Sequence, residues 1–341
     1  MACNCIMQEK NCKMVLVNKK NIFCNPFTTK KAPPTGVLFL LTSTFGPAEL
    51  PLTKGTHLDI IKLISIKKLY KGDKMMSFLK GKTAIITGAG YATLSDGRCG
   101  SIGYGIATAY AKEGANLVIT GRNVSKLEKA KEELERLYGI KVLALAADIA
   151  DGADNEATAK GVAEAAMREF GRIDVLINNA QASASGVTIQ DHTTEQFNLA
   201  MYSGLYATFY YMKACYPYLK ETKGAIINFA SGAGLFGNYG QCSYAAAKEG
   251  IRGLSRVAAT EWAKDGINTN VICPLAWTAQ LENFEKAYPE AFKANVKMPP
   301  AGHYGDAELE IGRVCVQLAS PDFKFMNGET LTLEGGMGLR P

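Results

Sequence analysis

The chain has 341 residues, of which 47% are hydrophobic and 21% charged, as expected for a globular protein of one large domain or two smaller ones. Its net charge of +6 arises at the amino terminus: residues 1–75 contain twelve lysines and four acidic residues, which leaves 26 basic and 28 acidic residues elsewhere. The nearly neutral remainder gives no electrostatic reason to expect a nucleic-acid partner. The nine cysteines show neither zinc-ligand spacing nor a secreted disulfide framework, so we expect no metal site and a reducing, cytoplasmic setting.

Residues 1–75 lack a sustained hydrophobic period. The apolar run over residues 36–41 is far shorter than the ~20 residues that span a bilayer, and it lies too far from the amino terminus for a signal peptide. We therefore expect no membrane segment and place the catalytic domain at residues 76–341. The leading segment is interpreted either as a disordered basic tail or as a sequence outside the native protein, and the intact mass of the native protein distinguishes the two.

A short strand, a glycine turn and a helix follow one another from residue 83. The strand Thr83–Thr87 is apolar and runs into Gly88, and an amphipathic helix begins near Ile102. In this order the elements predict a dinucleotide-binding unit, because glycine lets the backbone approach the pyrophosphate and the helix N-terminus offers it N–H groups. About nine residues between Tyr91 and Gly100 lengthen the turn.

The end of the second strand bears on the choice of cofactor. Asn116–Thr120 is followed by Gly121 and Arg122. An acidic residue here would bind both ribose hydroxyls of NAD, whereas glycine beside arginine suits the 2′-phosphate of NADP. We therefore expect NADP(H) to be favoured over NAD(H). The alternative is that Arg122 is a surface residue that caps the next helix.

Further strands alternate with helices along the chain. Residues 141–146 and 173–177 are predicted as the third and fourth strands, and residues 225–230 and 268–273 as the fifth and sixth. This alternation predicts a single doubly wound, Rossmann-type α/β domain with a mostly parallel sheet. Such sheets bind ligands outside the carboxyl ends of their strands, and Ser231 stands at that end of the fifth strand.

Ser231, Tyr244 and Lys248 form the strongest chemical signal. Tyr244 and Lys248 are four residues apart in an alanine-rich run with helical spacing, so both side chains leave one face of one helix. A cation beside a phenol favours the ionised phenol and lowers its pKa, which makes Tyr244 a usable general acid or base. A tyrosine and a lysine at this spacing are more often a solvated pair, but the strand-end serine thirteen residues earlier makes the pattern specific.

This spacing resembles that of the short-chain dehydrogenase/reductase family, and the resemblance covers residues 77–338. It implies that Tyr244 exchanges a proton with the substrate oxygen, that Ser231 orients this oxygen, and that Lys248 lowers the tyrosine pKa and holds the nicotinamide ribose. The nicotinamide would carry the hydride. It also implies that the following residues contact the cofactor: Gly88, Ser101, Ile102, Gly103, Arg122, Asp148, Ile149, Asn179, Tyr244, Lys248 and Thr278.

The sequence departs from the family pattern at several places. Gln181 replaces the glycine of an Asn-Asn-Ala-Gly motif, whose asparagine amides we expect to tie neighbouring strand ends together. Leu275 replaces the glycine after Pro274. Ser203 or Gly204 stands where relatives carry an asparagine that holds a water of the proton relay, so we expect the relay to run through Ser203, a water or the peptide backbone.

Residues 279–304 are rich in aromatic side chains and follow the sixth strand, so we interpret them as a lid over the substrate; the alternative is a helix buried against another subunit. Such a lid favours a bulky apolar alcohol or ketone, in the first place a hydroxysteroid or bile acid.

The resemblance implies a homodimer or homotetramer. Alternatives are a 3-oxoacyl thioester reductase, a dinucleotide-binding sensor or scaffold without turnover, and an enoyl reductase, which residues 101–107 resemble but whose Tyr–Lys spacing is wider.

Overall fold

The structure is a computed structural model that describes residues 78–150, 152 and 155–338. The expectations for residues 1–75 lie outside this part of the chain. Seven strands are present there: β1 (Thr83–Thr87), β2 (Asn116–Gly121), β3 (Val142–Ala146), β4 (Val175–Asn178), β5 (Ala225–Phe229), β6 (Asn268–Pro274) and β7 (Thr330–Leu333). They form one sheet in the order β3-β2-β1-β4-β5-β6-β7, and all neighbouring pairs are parallel. The predicted doubly wound α/β fold is therefore confirmed.

Helices connect the strands and lie on both faces of the sheet. The α-helices are α1 (Ile102–Lys112), α2 (Val124–Tyr138), α3 (Asn155–Phe170), α4 (Thr194–Ala200), α5 (Ala207–Thr222), α6 (Gly232–Phe236), α7 (Cys242–Trp262), α8 (Ala279–Ala287), α9 (Pro289–Asn295) and α10 (Arg313–Leu318). A π-helical turn, Met201–Tyr206, joins α4 to α5, and a second one, Ala307–Gly312, precedes α10. Short 3₁₀ turns occupy Ala263–Asp265 and Pro321–Phe323.

The core consists of two layers separated by the sheet. In β1, Ile85 and Ile86 are both fully buried but belong to different clusters, because successive strand side chains point to opposite faces. Ile86 lies in the same cluster as Ile106 of α1, whereas Ile85 lies with Val162 of α3 and Met212 of α5. Coverage of both faces explains why the strands read as continuous apolar runs.

Asparagine and threonine side chains tie the carboxyl ends of the central strands together. The Asn179 side-chain amide donates to the Thr87 carbonyl at 2.9 Å, and the Thr87 hydroxyl accepts from the backbone N–H groups of Asn179 and Ala180 at 3.0 Å. On the other side, Asn178 donates to the side chain of Asn228 at 2.8 Å. The expectation that the asparagines join neighbouring strand ends is confirmed, and these bonds fix the rim at which ligands bind.

The inserted residues 91–100 form a tight hairpin beside the glycine turn. Thr93 and Cys99 pair in an antiparallel bridge, and the Gly100 N–H donates to the Ala92 carbonyl at 2.7 Å. The hairpin also contacts the segment after β6, because the Ser95 hydroxyl donates to Glu282 of α8 at 2.6 Å. The insertion therefore connects the predicted cofactor turn with the predicted lid.

None of the helices in the described ranges combines the length and apolar character that crossing a membrane requires. The same residues contain no group of three or more Asp, Glu, His or Cys side chains placed to hold a metal ion.

Candidate active site

A cavity of about 490 Å³ lies at the carboxyl ends of the central strands. It is located where the strand order reverses between β1 and β4, the position at which doubly wound sheets bind dinucleotides. All the residues that the resemblance implied as cofactor contacts line it: Gly88, Ser101, Ile102, Gly103, Arg122, Asp148, Ile149, Asn179, Tyr244, Lys248 and Thr278. We call this space the dinucleotide cavity.

Glycine residues give the dinucleotide cavity a wall of backbone. Gly88 has a φ of +72°, in the left-handed region that favours glycine. A Cβ atom on Gly103 would lie only 2.2 Å from the Gly88 carbonyl oxygen, so α1 can approach β1 this closely only without a side chain there. Ser101 caps α1 by accepting a hydrogen bond from the Tyr104 N–H at 3.3 Å. The N-terminus of α1 and this backbone wall fit the pyrophosphate of a dinucleotide.

Two charged residues lie at the far end of the dinucleotide cavity. Arg122 follows β2 and is exposed, and Asp148 follows β3 and accepts a hydrogen bond from the Ala150 N–H at 2.9 Å. A Cβ atom on Gly121 would meet nothing nearer than Leu127 at 3.6 Å, an ordinary van der Waals distance. The strand end therefore has room for a larger side chain beside the arginine.

Ser231, Tyr244 and Lys248 come together at the end of β5. Ser231 caps α6 through a hydrogen bond from the Ala233 N–H at 3.1 Å, and Tyr244 and Lys248 project from one face of α7, as predicted. Lys248 is 4% exposed, and its ammonium donates to the Phe229 carbonyl at 2.6 Å. Its nitrogen lies 5.4 Å from the centre of the Tyr244 ring.

The electrostatics of this pair differ from the sequence-based expectation. Burial raises the pKa of Tyr244, and only the interaction with the Ser231 hydroxyl acts in the opposite direction. Burial also lowers the pKa of Lys248 to about 7. For the protein by itself, burial and not the lysine therefore sets the direction of the Tyr244 pKa shift, because Lys248 is desolvated and its charged form is disfavoured. A shift toward ionised Tyr244 requires a partner that keeps Lys248 protonated.

A second cavity of about 580 Å³ adjoins the first at Tyr244. We call it the substrate pocket. All but one of its lining residues have polar side chains: Gln181, Ser183, Ser185, Ser231, Ala233, Asn238, Gln241, Tyr244 and Gln280. Tyr244 lines both cavities, whereas Ser231 lines only the substrate pocket and Lys248 only the dinucleotide cavity. Of the three candidate catalytic residues, Tyr244 is thus the one that borders both spaces.

The aromatic residues of segment 279–304 do not line the substrate pocket, contrary to the lid expectation. Phe292 contacts Trp277 and Phe284, with ring centres 6.0 Å apart in both pairs, and Tyr304 contacts Trp277 at 5.8 Å. These rings pack on one another because aromatic pairs at such distances stabilise an edge-to-face or tilted cluster. Gln280, at the start of α8, is the residue of this segment that reaches both cavities.

Of the two residues expected at the relay position, neither lines the dinucleotide cavity or the substrate pocket. Ser203 is fully buried, and its hydroxyl lies 2.6 Å from the Leu199 carbonyl and 2.9 Å from the Ala182 carbonyl while accepting from the Ala182 N–H. These bonds anchor the loop after β4, so the Ser203 side chain is structural, and a relay through its hydroxyl is not supported. Gly204 lies in the π-helical turn against the side chain of Gln181.

Sequence reasoning misses most of the substrate pocket. Gln181 is identifiable only as a departure from a motif, and Ser183, Ser185, Gln241 and Gln280 give no signal, because a polar side chain outside a motif is ordinary in any sequence. The Asn-Asn-Ala motif before Gln181 is the one pointer to residues 181–185, since it places them directly after a strand end.

The chain is similar in sequence and in structure to several known proteins. Residues 97–338 match the family model described as Enoyl-(Acyl carrier protein) reductase. The chain is 69% identical over 266 residues to a 12alpha-hydroxysteroid dehydrogenase of Clostridium sp., covering 78% of this chain and 100% of that protein. It is 33% identical to General stress protein 39 of Bacillus subtilis, covering 78% and 87% of the two chains. Among solved structures, L-sorbose reductase of Gluconobacter frateurii, complexed with NADPH and L-sorbose, superposes with a TM-score of 0.69 at 27% identity, covering 78% of this chain and 100% of that one. With its Ser231, Tyr244 and Lys248 set around two adjoining cavities, the chain belongs to the short-chain dehydrogenase/reductase family.

Proposed function

We propose that this protein is an NADP(H)-dependent oxidoreductase that interconverts a secondary alcohol and a ketone on a hydroxysteroid. The placement of Tyr244 carries the proposal, because this proton-exchanging group borders both the dinucleotide cavity and the substrate pocket. Lys248 on the first side and Ser231 on the second complete the arrangement. A binding protein without turnover has no need for a titratable hydroxyl between the two spaces.

In this proposal each side chain has a separate task. A bound nicotinamide dinucleotide would donate or accept the hydride at the substrate carbon. Ser231 hydrogen-bonds the substrate oxygen and fixes its distance from the Tyr244 hydroxyl. Tyr244 gives its proton to that oxygen during ketone reduction and takes it back during alcohol oxidation. Lys248, in its charged form, stabilises the tyrosinate that the reduction step leaves.

The choice of substrate rests on the Clostridium relative and on the pocket. That protein is a 12alpha-hydroxysteroid dehydrogenase, and the two sequences share 69% identity over its whole length. The polar lining of the substrate pocket suits a steroid that carries further hydroxyl or carboxyl groups, as bile acids do, better than an unsubstituted hydrocarbon. Within the expected class of hydroxysteroids and bile acids, we therefore favour a polyhydroxylated steroid.

A substrate panel tests this assignment. We expect 12α-hydroxy bile acids to be oxidised with the highest kcat/KM in a panel that also contains 3α- and 7α-hydroxysteroids, 3-oxoacyl thioesters and enoyl thioesters, followed by nicotinamide absorbance. Faster turnover of either thioester would contradict the steroid assignment and favour the corresponding acyl reductase. Absence of turnover on the whole panel, with intact dinucleotide binding, would favour a sensor.

Cofactor preference gives a second test, at Arg122. We propose that its exposed guanidinium binds the 2′-phosphate of NADP(H). A charge-assisted hydrogen bond contributes ~1.5–3 kcal/mol, and ~1.4 kcal/mol corresponds to a factor of ten, so we expect a roughly ten- to hundredfold preference for NADP(H). Arg122→Ala should remove this preference. Gly121→Asp should reverse it, because a carboxylate accepts bonds from free ribose hydroxyls and repels the phosphate.

The measurement is kcat/KM with each cofactor for wild type and both variants, with Lys126→Ala as a matched surface control from the first turn of α2. A wild-type preference for NAD(H), or an unchanged ratio in Arg122→Ala, would show that Arg122 is a surface residue without a role in cofactor choice.

We also propose a homodimer or homotetramer in the cytoplasm. Phe197, Tyr206 and Phe209 follow one another along α4, the π-helical turn and α5, and are 39%, 43% and 42% exposed, so this face offers apolar area for a second copy. None of the five cysteines in the described part of the chain forms a disulfide, which is consistent with a reducing compartment. Light scattering of the pure protein measures the assembly, and a monomer at micromolar concentration would contradict it.

A further inference from the structure

One polar side chain between the two cavities has no task in the mechanism above. Gln181 follows β4 and lines both the dinucleotide cavity and the substrate pocket. Its Nε2 group donates to the Ala200 carbonyl at 3.4 Å, whereas its Oε1 atom is buried and has no hydrogen-bond partner within the described residues. Buried polar atoms are nearly always satisfied in native proteins, so this acceptor indicates a donor that reaches it in the working enzyme.

The chain makes room for the Gln181 amide at Gly204. A Cβ atom on Gly204 would lie 2.7 Å from both the Cδ and the Nε2 atom of Gln181, so a side chain there would push the amide out of this position. Gly204 belongs to the π-helical turn Met201–Tyr206, and such turns occur frequently at functional sites. Glycine at 204 therefore leaves the space that the Gln181 amide occupies.

Tyr244 and Lys248, whose side chains carry hydrogen-bond donors, line the dinucleotide cavity together with Gln181. An ammonium group has three N–H bonds, and one of those of Lys248 goes to the Phe229 carbonyl. The titratable groups that face Lys248 are Tyr244 on the same helix and the Cys273 thiol on β6, and neither is a carboxylate that could hold the lysine charged. The amide oxygen of Gln181, in the loop after β4, is thus a side-chain acceptor that favours the charged form of Lys248 when it accepts a hydrogen bond from the ammonium.

We propose that Gln181 is a positioning residue of the acid–base pair, whose Oε1 atom accepts a hydrogen bond from the Lys248 ammonium, directly or through one bound water, and so keeps the lysine charged beside Tyr244. Gln181 acts on Lys248 and not on the substrate. The inference rests on the proposed function, because that function gives Tyr244 and Lys248 their roles.

The sign of the expected effect follows from the charges. An acceptor favours the charged lysine and opposes the burial that lowers the pKa of Lys248 to about 7. Without the acceptor the lysine loses its proton at lower pH, and Tyr244 loses the cation that favours its ionised form. Alcohol oxidation, which needs the tyrosinate as base, should then reach its half-maximal rate at a higher pH.

Gln181→Met tests this directly, since methionine has similar length but offers no amide. We expect the half-maximal pH of alcohol oxidation to rise by about one unit, while the Kd for NADPH changes less than about threefold. An unmoved pH profile would overturn the proposal. A large loss of NADPH affinity with an unmoved profile would overturn it as well, because it would place the amide on the dinucleotide.

A double-mutant cycle makes the test independent of folding defects. Gly204→Ala should displace the Gln181 amide and shift the pH profile in the same direction, but it should add nothing when it is combined with Gln181→Met. Gly161→Ala in α3, where an added Cβ atom meets nothing within 4 Å, is the matched control and should leave the profile unchanged. Equal effects of Gly204→Ala with and without Gln181→Met would contradict the proposed coupling.

The ionisation of Tyr244 can also be followed without a substrate. The difference in ultraviolet tyrosinate absorbance between a protein and its Tyr244→Phe counterpart reports the ionisation of Tyr244 alone. We expect this ionisation to move to higher pH in Gln181→Met. If wild type oxidises no steroid but the shift is present, the proposed substrate fails and the Gln181 inference stands. If wild type is active but the shift is absent, the Gln181 inference fails and the proposed function stands.

Discussion

Tyr244→Phe is expected to reduce kcat by about 10²–10⁴-fold in both directions, the usual contribution of a positioned acid or base. The ring and its packing on α7 are kept, and only the titrating oxygen is removed. We therefore expect the Kd for NADP(H) and the melting temperature to stay close to those of wild type. Steady-state kinetics with the best steroid of the panel, together with a fluorescence titration of NADPH, measures both quantities.

Tyr239→Phe is a suitable control for Tyr244→Phe, because Tyr239 lies in the loop directly before α7 and is 86% exposed. The control should retain wild-type kcat. Near-normal turnover in Tyr244→Phe would mean that the proton comes from another group. The proposal that Tyr244 is the acid–base group between the two cavities would then have to be abandoned.

Lys248→Met is expected to have two opposite effects. Turnover should fall by at least about tenfold, because the cation that stabilises the tyrosinate is lost. The ligand-free protein should become more stable at neutral pH, because the charged lysine is 4% exposed and its pKa of about 7 shows that burial disfavours the charge. A trade of stability for activity of this kind is common at active sites.

The pH dependence of the stability difference between Lys248→Met and wild type identifies the cause of that difference. The pKa of Lys248 is about 7 in the folded protein and ~10.4 in the unfolded chain, so between these values the unfolded state binds more protons and the stability of wild type rises with pH. Below pH 7 both states are protonated and the full cost, on the order of several kcal/mol, remains. The advantage of Lys248→Met should thus be largest near pH 6 and shrink toward pH 10.

Urea unfolding of the ligand-free proteins across this pH range measures the difference. Lys324→Met is the matched control, because burial lowers the pKa of Lys324 as well. This lysine is remote in sequence from α7 and precedes β7. A Lys248→Met variant that is less stable than wild type at pH 6 would show that the bond to the Phe229 carbonyl outweighs the desolvation of the charge.

The fold and the cofactor side of the site follow from the order of the amino acids alone. Apolar strands alternating with amphipathic helices predict a parallel sheet with helices packed against it, and residues at strand ends then meet at one rim by topology. Gly88 and Arg122 are identifiable for this reason. Asp148, Asn179 and Thr278 are identified through the resemblance to the short-chain dehydrogenase/reductase family. Ser231, Tyr244 and Lys248 are identifiable because strand-end position and helical spacing are local properties.

Features that depend on contacts between distant segments emerge only in the folded chain. The aromatic rings near Trp277 pack on one another rather than over the pocket, and burial, not the neighbouring lysine, dominates the pKa of Tyr244. Folding also brings Gln181 against Gly204, a pairing that no local pattern specifies. Side-chain packing and desolvation depend on which residues become neighbours in the folded chain. The sequence contains these residues but does not specify which of them come into contact.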